Sequence, residues 1–531
     1  MTTQLCAEPK IAPCRAACPA GVDVPRYVRQ MRDGDFDGAL ATIREKIPFA
    51  AVCGYACFHP CESKCARRQY DEPIAIRLLK RSAADLAAPL VPEKPAASTG
   101  RKVAVIGSGP AGLTAAYYLA RKGHAVEVFE AAAEPGGMLR YGIPEYRLPN
   151  DVVDREIAHI VASGVTITTD SGIRSAPELL AAGHDAVLAA TGAWNPVKLG
   201  VDGESRADVL DGIDFLKRVN AGEPVKLGRR VVVVGGGNTA IDAARTALRL
   251  GAETTLLYRR TRIAMPASAE EIAEAEEEGL AFAFCAAPVK IEAGRVTCVR
   301  LAPKDGGSGR SAQLAPVDGS AFDLGCDTLI VAAGQQADAE ILGLAVARGG
   351  TAAVDGASAT PTAGIFAAGD VVSGPSTIID AIAEGRKSAI AIDRFLGGDG
   401  DIDPARTAGG EETPDAAWRR ARQTTDKIDP AARAKSFGLV EAGFDAAAAR
   451  FEAERCLACH THHHEVEIST DVCKACGYCS EVCTMGVFGT SEAFNAIGYQ
   501  PAVALHPENC VGCLKCFAIC PDFAITVRGV A

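Results

Sequence analysis

KVAVIGSGPAG, residues 102–112, sets the reading of the whole chain. The apolar run 103–106 predicts a buried parallel strand, and an Ala/Leu-rich helix, LTAAYYLARKG, follows the glycines. Gly107 permits the tight turn, Gly109 lets backbone approach a pyrophosphate, and Gly112 lets the helix pack on the strand. The next predicted strand, AVEVFE at 125–130, ends in Glu130, an acid placed to hold a ribose 2′-hydroxyl. A lone GxGxxG says little, but strand, glycines, helix and acid in this order predict a dinucleotide-binding βαβ unit.

A second unit follows at 231–242, VVVVGGGNTAID, in the GxGxxA variant, with Gly235, Gly237, Asn238 and Thr239 as its nucleotide-facing residues. Gly107 and Gly235 are 128 positions apart, and the same step from Glu130 lands on Tyr258, followed by Arg259 and Arg260. Arginines in place of the acid suit the 2′-phosphate of NADP; the competing reading gives them a pyrophosphate or a neighbouring subunit. TLIVAAGQ at 328–335 closes the second unit much as AVLAATG at 186–192 closes the first. GIFAAGD at 364–370 then returns to a strand ending in Gly369 and Asp370, with a helix beginning near Thr377. The expected class is α/β: two Rossmann-like domains, the first (100–227 and 336–395) interrupted by the second (228–335). A helical domain (1–95) precedes them; a linker with one or two exposed helices (396–454) and a domain at 455–531 follow.

The chain has 531 residues and a formal charge of −11, which disfavours nucleic acid as main partner. Without a signal-like segment or an apolar run of spanning length, a cytoplasmic protein with no membrane insertion is expected. Of its 20 cysteines, only Cys285, Cys298 and Cys326 lie in the middle, as ordinary core or surface residues. Clustered cysteines in a reducing compartment suit metal better than disulfides. Cys473, Cys476, Cys479 and Cys483 repeat at an offset of 37 as Cys510, Cys513, Cys516 and Cys520. Each run is C-x2-C-x2-C-x3-C, the bacterial ferredoxin pattern for two [4Fe–4S] clusters, in which the fourth cysteine serves the other cluster. Cys473, Cys476, Cys479 and Cys520 thus form one set, and Cys510, Cys513, Cys516 and Cys483 the other. At the N-terminus, Cys53, Cys57, Cys61 and Cys65 recur every fourth residue, with Pro60 breaking any continuous helix. Cys456 and Cys459, in RCLACHTHHHE, offer a zinc site with His462, His463 or His464; the alternative is an inert exposed histidine run.

From about residue 10 to 395 the chain resembles the small-subunit family of glutamate synthase. That family includes the flavin half of dihydropyrimidine dehydrogenase and the large subunit of NADH-dependent ferredoxin:NADP oxidoreductase. The strings carrying the resemblance include CGYACFHPCESKC from Cys53, GGMLRYGIPEYRLP from Gly136, YRRTRIAMPA from Tyr258 and GIFAAGDVVSGPSTIIDAIAEG from Gly364. The resemblance implies FAD in the first domain, at Gly107, Gly109, Gly112 and Glu130, with Asp370 on the ribityl chain. It puts the backbone near Thr377 at the flavin N1/O2 edge, and Gly137, Leu139 and Arg147 in or beside the stretch near the isoalloxazine. NAD(P) belongs to the second domain. The family's N-terminal cysteines bind two clusters, but here Pro9 occupies the second position of C-x2-C-x4-C-x3-C, whose other members are Cys6, Cys14 and Cys18. Cys6, Cys14 and Cys65 are expected around one site and Cys18, Cys57 and Cys61 around another, with Cys53 unassigned. Lys80 stands where some relatives use glutamine. One or two N-terminal clusters are therefore expected.

Such a chain exchanges hydride between NAD(P)H and FAD and single electrons between FAD and clusters, with no acid/base residue of its own. The ending CVGCLKCFAICPDFAI resembles the ferredoxin-type subunit of 2-oxoacid:ferredoxin oxidoreductases. The expectation is the electron-transfer subunit of a hetero-oligomeric 2-oxoacid:acceptor oxidoreductase, partnered by thiamine-diphosphate or iron–sulfur subunits. The alternatives are a glutamate synthase small subunit, a stand-alone NAD(P)H:ferredoxin oxidoreductase serving soluble ferredoxin, and a non-catalytic electron-transfer or assembly subunit.

Overall fold

The computed structural model describes residues 11–88, 95–304, 312–403, 420–459 and 463–530. Cys6 and His462 lie outside the described residues, as does part of the expected linker 396–454. The first sheet begins with β1 (Lys102–Ile106), β2 (Ala125–Phe129), β3 (Val165–Thr168) and β4 (Ala186–Ala189). The second holds β5 (Val209–Asp211), β6 (Arg230–Val234), β7 (Glu253–Tyr258), β8 (Ala281–Phe284) and β9 (Thr328–Val331). After it the chain returns to the first sheet with β10 (Ile365–Ala367). The orders are β10-β4-β1-β2-β3 and β5-β9-β6-β7-β8, all parallel. β1 and β6 occupy matching central places. Each is buried from its second residue on, which is why both read as unbroken apolar runs rather than alternating ones.

The N-terminal helices share one core with the first sheet: Tyr27, Ile43 and Leu79 pack in the same cluster as Leu113, Leu119 and Val153. Glu156 ties the two parts, accepting the Ala51 N–H at 2.8 Å and pairing with Arg44 at 2.7 Å. Helix Ala50–Ala56 stops at Cys57, and a short helix restarts at Pro60, with proline in its first turn. The four regularly spaced cysteines therefore do not share one helix face.

The segment after the first sheet is not the exposed connector its mixed composition suggests. In helix Ala446–Ala453, Ala449 and Ala453 are buried in the N-terminal core. Glu452, fully buried, accepts the Ala75 N–H at 2.8 Å. Further back, buried Arg433 pairs with Glu278 at 3.1 Å on the second domain. Small alanines read as linker in one dimension, yet they are what allows a helix to lie close against another.

The C-terminal unit has two antiparallel strand pairs and two short helices, Tyr478–Val482 and Lys515–Ile519. It meets the N-terminal domain where the Tyr70 hydroxyl donates to the Val511 carbonyl at 2.9 Å and Gln69 donates to Thr484. Among the described residues no helix is long and apolar enough to cross a membrane.

Candidate functional site

A cleft of about 1110 Å³ runs between the two sheets and is lined by both glycine loops. The glycines divide into two kinds. A Cβ at Gly107 (φ +103°) would come within 2.5 Å of the Ala190 carbonyl oxygen, and one at Gly112 within 2.1 Å of the Gly107 oxygen. In the second loop a Cβ at Gly235 would lie 2.2 Å from the Ala332 oxygen. These three are required by the turn itself. Gly109 and Gly237 are different: a Cβ there would meet nothing within 4 Å. Each precedes a helix, Pro110–Arg121 or Asn238–Arg249, whose first two residues line the cleft, where the N–H groups of a first turn have no partner within the helix. This is a cradle for two anionic groups, and it fits FAD at the first loop and NAD(P) at the second.

Glu130 lines the cleft, its Oε2 accepting from the Ser108 N–H and hydroxyl and its Oε1 from the Ala132 N–H. A carboxylate has about four acceptor sites, so capacity for a ribose hydroxyl remains. Gly137 (φ +55°) lies against Gly109, and Leu139 and Arg147 also line the cleft. The Arg147 donors are engaged within the protein, however: Nη1 bonds Asp242 and Nε pairs with Glu271 at 2.8 Å. Arg147 is thus primarily a bridge between the two domains. Asp370 follows Gly369 (φ +75°) and accepts from the Ser376 N–H at 3.1 Å; burial raises its carboxyl. Thr377 caps the 18-residue helix Ile378–Phe395, whose N-terminus faces the cleft.

In the second domain Asn238 accepts the Ser268 N–H at 3.0 Å and Thr239 accepts from Gln335 at 3.3 Å. Of the arginines after β7, Arg259 is exposed and lines the cleft. Arg260 does not; its guanidinium donates to the Ala312 carbonyl at 2.8 Å. Arg262 is paired with Glu276 at 2.7 Å. The expectation for Arg260 is therefore corrected: Tyr258 and Arg259 line the cleft, whereas Arg260, in the bend after β7, is turned onto the Ala312 carbonyl. Cys285, Cys298 and Cys326 are not among the cleft residues.

Ala56 and Phe58 also line the cleft, which brings Cys57 beside it. Sequence reasoning missed this adjacency, since nothing local links the N-terminal cysteines to the glycine loops. In the C-terminal unit, Cys483, Cys510, Cys513 and Cys516 line one small cavity. After burial, Cys513, Cys510 and Cys483 are the groups that raise the Cys516 thiol. That cavity and the sulfur donor set fit a [4Fe–4S] cluster. Tyr70 sits at the same place, its phenol raised by burial and then by Cys513 and Cys510. The zinc expectation gains no support: no three His, Cys, Asp or Glu side chains gather for a single ion among the described residues. The His464 ring instead lies over Gly512, where a Cβ would be 2.1 Å from Nε2.

Three families match. Pyridine nucleotide-disulphide oxidoreductase covers residues 101–385, dihydropyrimidine dehydrogenase domain II with its 4Fe-4S cluster covers 2–90, and a 4Fe-4S dicluster domain covers 472–524. The chain is 40% identical over 501 residues to the NADP(+)-dependent formate dehydrogenase subunit beta of Moorella thermoacetica, with 85% of this chain and 70% of that protein covered. It is 37% identical over 510 residues to the NADPH-Fe(3+) oxidoreductase subunit beta of Geobacter sulfurreducens (strain DL-1 / KN400), covering 85% and 75%. With the NADPH glutamate synthase small chain of Azospirillum brasilense it shares 32% over 424 residues, covering 73% and 87%.

Proposed function

From the premise that this chain belongs to the pyridine nucleotide-disulphide oxidoreductase family and carries FAD, NAD(P) and [4Fe–4S] clusters, we propose that it is the NADP(H)-facing electron-transfer subunit of a hetero-oligomeric oxidoreductase. The observation that carries the reading is a continuous series of sites: the cleft, then Cys57 between Ala56 and Phe58, then the N-terminal thiols, then Tyr70 against Val511 and the C-terminal cysteines. When bound, FAD supplies the conversion between two-electron hydride transfer and single-electron transfer. The chain's own residues orient and insulate. Gly109 and Gly237 admit the two pyrophosphates. The N-terminus of Ile378–Phe395 places positive potential at the flavin edge, and Asp370 offers an acceptor to the ribityl hydroxyls. No nucleophile is called for, in keeping with the absence of the three mid-chain cysteines from the cleft. The disulphide of the family name is thus not part of this proposal.

The partner is a catalytic subunit that delivers electrons to the ferredoxin-type tail, or takes them from it. Formate oxidation is supported by the 40% identity to a formate dehydrogenase beta subunit. A 2-oxoacid-oxidising partner is supported by CVGCLKCFAICPDFAI at the C-terminus. Purifying the native complex and offering formate or a 2-oxoacid with NADP separates the two. For the subunit itself, anaerobic mixing with NADPH should bleach the flavin first and the cluster absorbance afterwards. Flavin reduction with the clusters left oxidised would defeat the proposed wire.

A further inference from the structure

Among the described residues, eight cysteines outside the ferredoxin repeats lie at the N-terminal core, six from the N-terminal domain and two, Cys456 and Cys459, from the segment just before the tail. Their neighbourhoods form two groups that meet at Cys61. Lys80, 4% exposed, has Cys57, Cys53, Cys61 and Cys18 as its charged neighbours. The other group surrounds Cys14. Its charged neighbours are Cys459, Cys456, Cys65 and Cys61, the last shared with the Lys80 group.

Two independent features fix the second group. The first is an arginine frame. Arg67, two residues after Cys65, donates to the carbonyl of Arg455, the residue before Cys456, at 2.8 Å. Arg455 returns to Asp71 at 3.1 Å and is paired with Glu452 at 2.8 Å, and both arginines are essentially without solvent. The second is backbone shape. In Cys456-Leu-Ala-Cys459, Ala458 has φ +44°, in the left-handed region that non-glycine residues rarely enter. Ala475 (φ +55°) and Gly512 (φ +70°) hold the same place in Cys473–Cys476 and Cys510–Cys513. The Ala458 N–H bonds the Cys456 sulfur as the Gly512 N–H bonds that of Cys510. The pair is thus folded like the opening half of each ferredoxin run.

We propose that Cys14, Cys65, Cys456 and Cys459 are the four ligands of one N-terminal [4Fe–4S] cluster, and that Cys18, Cys53, Cys57 and Cys61 hold a second one beside Lys80. The segment before the tail thereby brings two thiolates to the N-terminal motif, in which Pro9 takes the place of one ligand. The lack of a single-ion site among the described residues accords with this, because a cubane carries its sulfurs at separate corners, and the ferredoxin cysteines share that lack.

The inference deepens the proposed electron wire and rests on that reading, but its test needs no nicotinamide. The full chain and its C456A/C459A variant are purified anaerobically and assayed for iron, sulfide and FAD, and for electron paramagnetic resonance after dithionite reduction. The variant should lose about four of about sixteen irons, keep the wild-type flavin ratio, and lack one reduced-cluster signal. Unchanged iron, with or without a bound zinc, would overturn the proposal. Cys6→Ala should keep all its iron, and loss of about four irons there would overturn the ligand set. If the double variant does not fold, Cys459→Ser decides, because an oxygen ligand shifts one cluster signal and an unshifted spectrum refutes ligation. Full iron with clusters that NADPH cannot reduce would instead sink the wire and leave the ligand set standing.

Discussion

Arg147 donates through Nη1 to both carboxylate oxygens of Asp242, at 2.8 and 2.7 Å, across the junction of the two nucleotide-binding domains. Arg147 lies on the loop before helix Asn150–Ala162, and Asp242 one turn into the helix that opens the second fingerprint. Burial would lower the guanidinium, but Asp242 and Glu271 outweigh burial and keep it charged. Removing one partner leaves a buried charge uncompensated, at a cost of roughly 3–5 kcal/mol. Arg147→Ala should therefore lower the thermal midpoint sharply. The Arg147→Ala/Asp242→Ala double variant should lose less than the two single losses added together. Strict additivity would mean the two residues are not coupled.

Gly109 and Gly237 face the open cleft, whereas Gly112 faces its own turn. Gly109→Val should fold and lose most of its flavin, read as FAD per chain after acid extraction. Gly237→Val should keep its flavin while NADPH no longer reduces it. Gly112→Ala, with its Cβ 2.1 Å from a carbonyl oxygen, should instead give little folded protein. Normal flavin content in Gly109→Val would remove the first loop from the FAD site.

Arg259 is the arginine after β7 that lines the cleft. A charge-assisted hydrogen bond to a 2′-phosphate is worth about 1.5–3 kcal/mol. Arg259→Ala should weaken NADPH roughly ten- to a hundredfold and leave NADH nearly unchanged, measured as the concentration dependence of flavin reduction in a stopped-flow mixer. Arg260→Ala should change the NADPH/NADH ratio far less. Equal losses for both nucleotides on Arg259→Ala would assign that side chain to the shared pyrophosphate.

Cys483 belongs to the first cysteine run but shares a cavity with Cys510, Cys513 and Cys516 of the second. Cys483→Ala should therefore damage the same cluster as Cys513→Ala, with the same missing resonance and about four irons lost. Damage matching Cys476→Ala instead would mean that each run serves its own cluster.

The sequence by itself determined the parts whose physics is local. Strand, glycine turn and helix within a dozen residues establish each nucleotide loop, because Gly107, Gly112 and Gly235 answer to atoms of their own turns or of the adjacent strand. The ferredoxin repeat is likewise legible, since the short spacings bend the first three cysteines of a run toward one place, with Cys483 joining Cys510, Cys513 and Cys516 of the other run. The nesting of one domain in the other followed from the repeated strand endings at 186–192, 328–335 and 364–370.

Only the tertiary structure decided what depends on packing between distant segments. Arg259, not Arg260, faces the cleft because β7 ends where it does against its neighbours. Arg147 is committed to Asp242 and Glu271, partners 95 and more residues away that no periodicity connects to it. The alanine-rich stretch before the tail is buried because its small side chains fit the N-terminal core. That fit, with buried Arg67 bonded to the Arg455 carbonyl, sets Cys456 and Cys459 against the same core as Cys14 and Cys65. Spacing along the chain specifies how a short loop bends; which loops share a site is settled by which surfaces exclude water together.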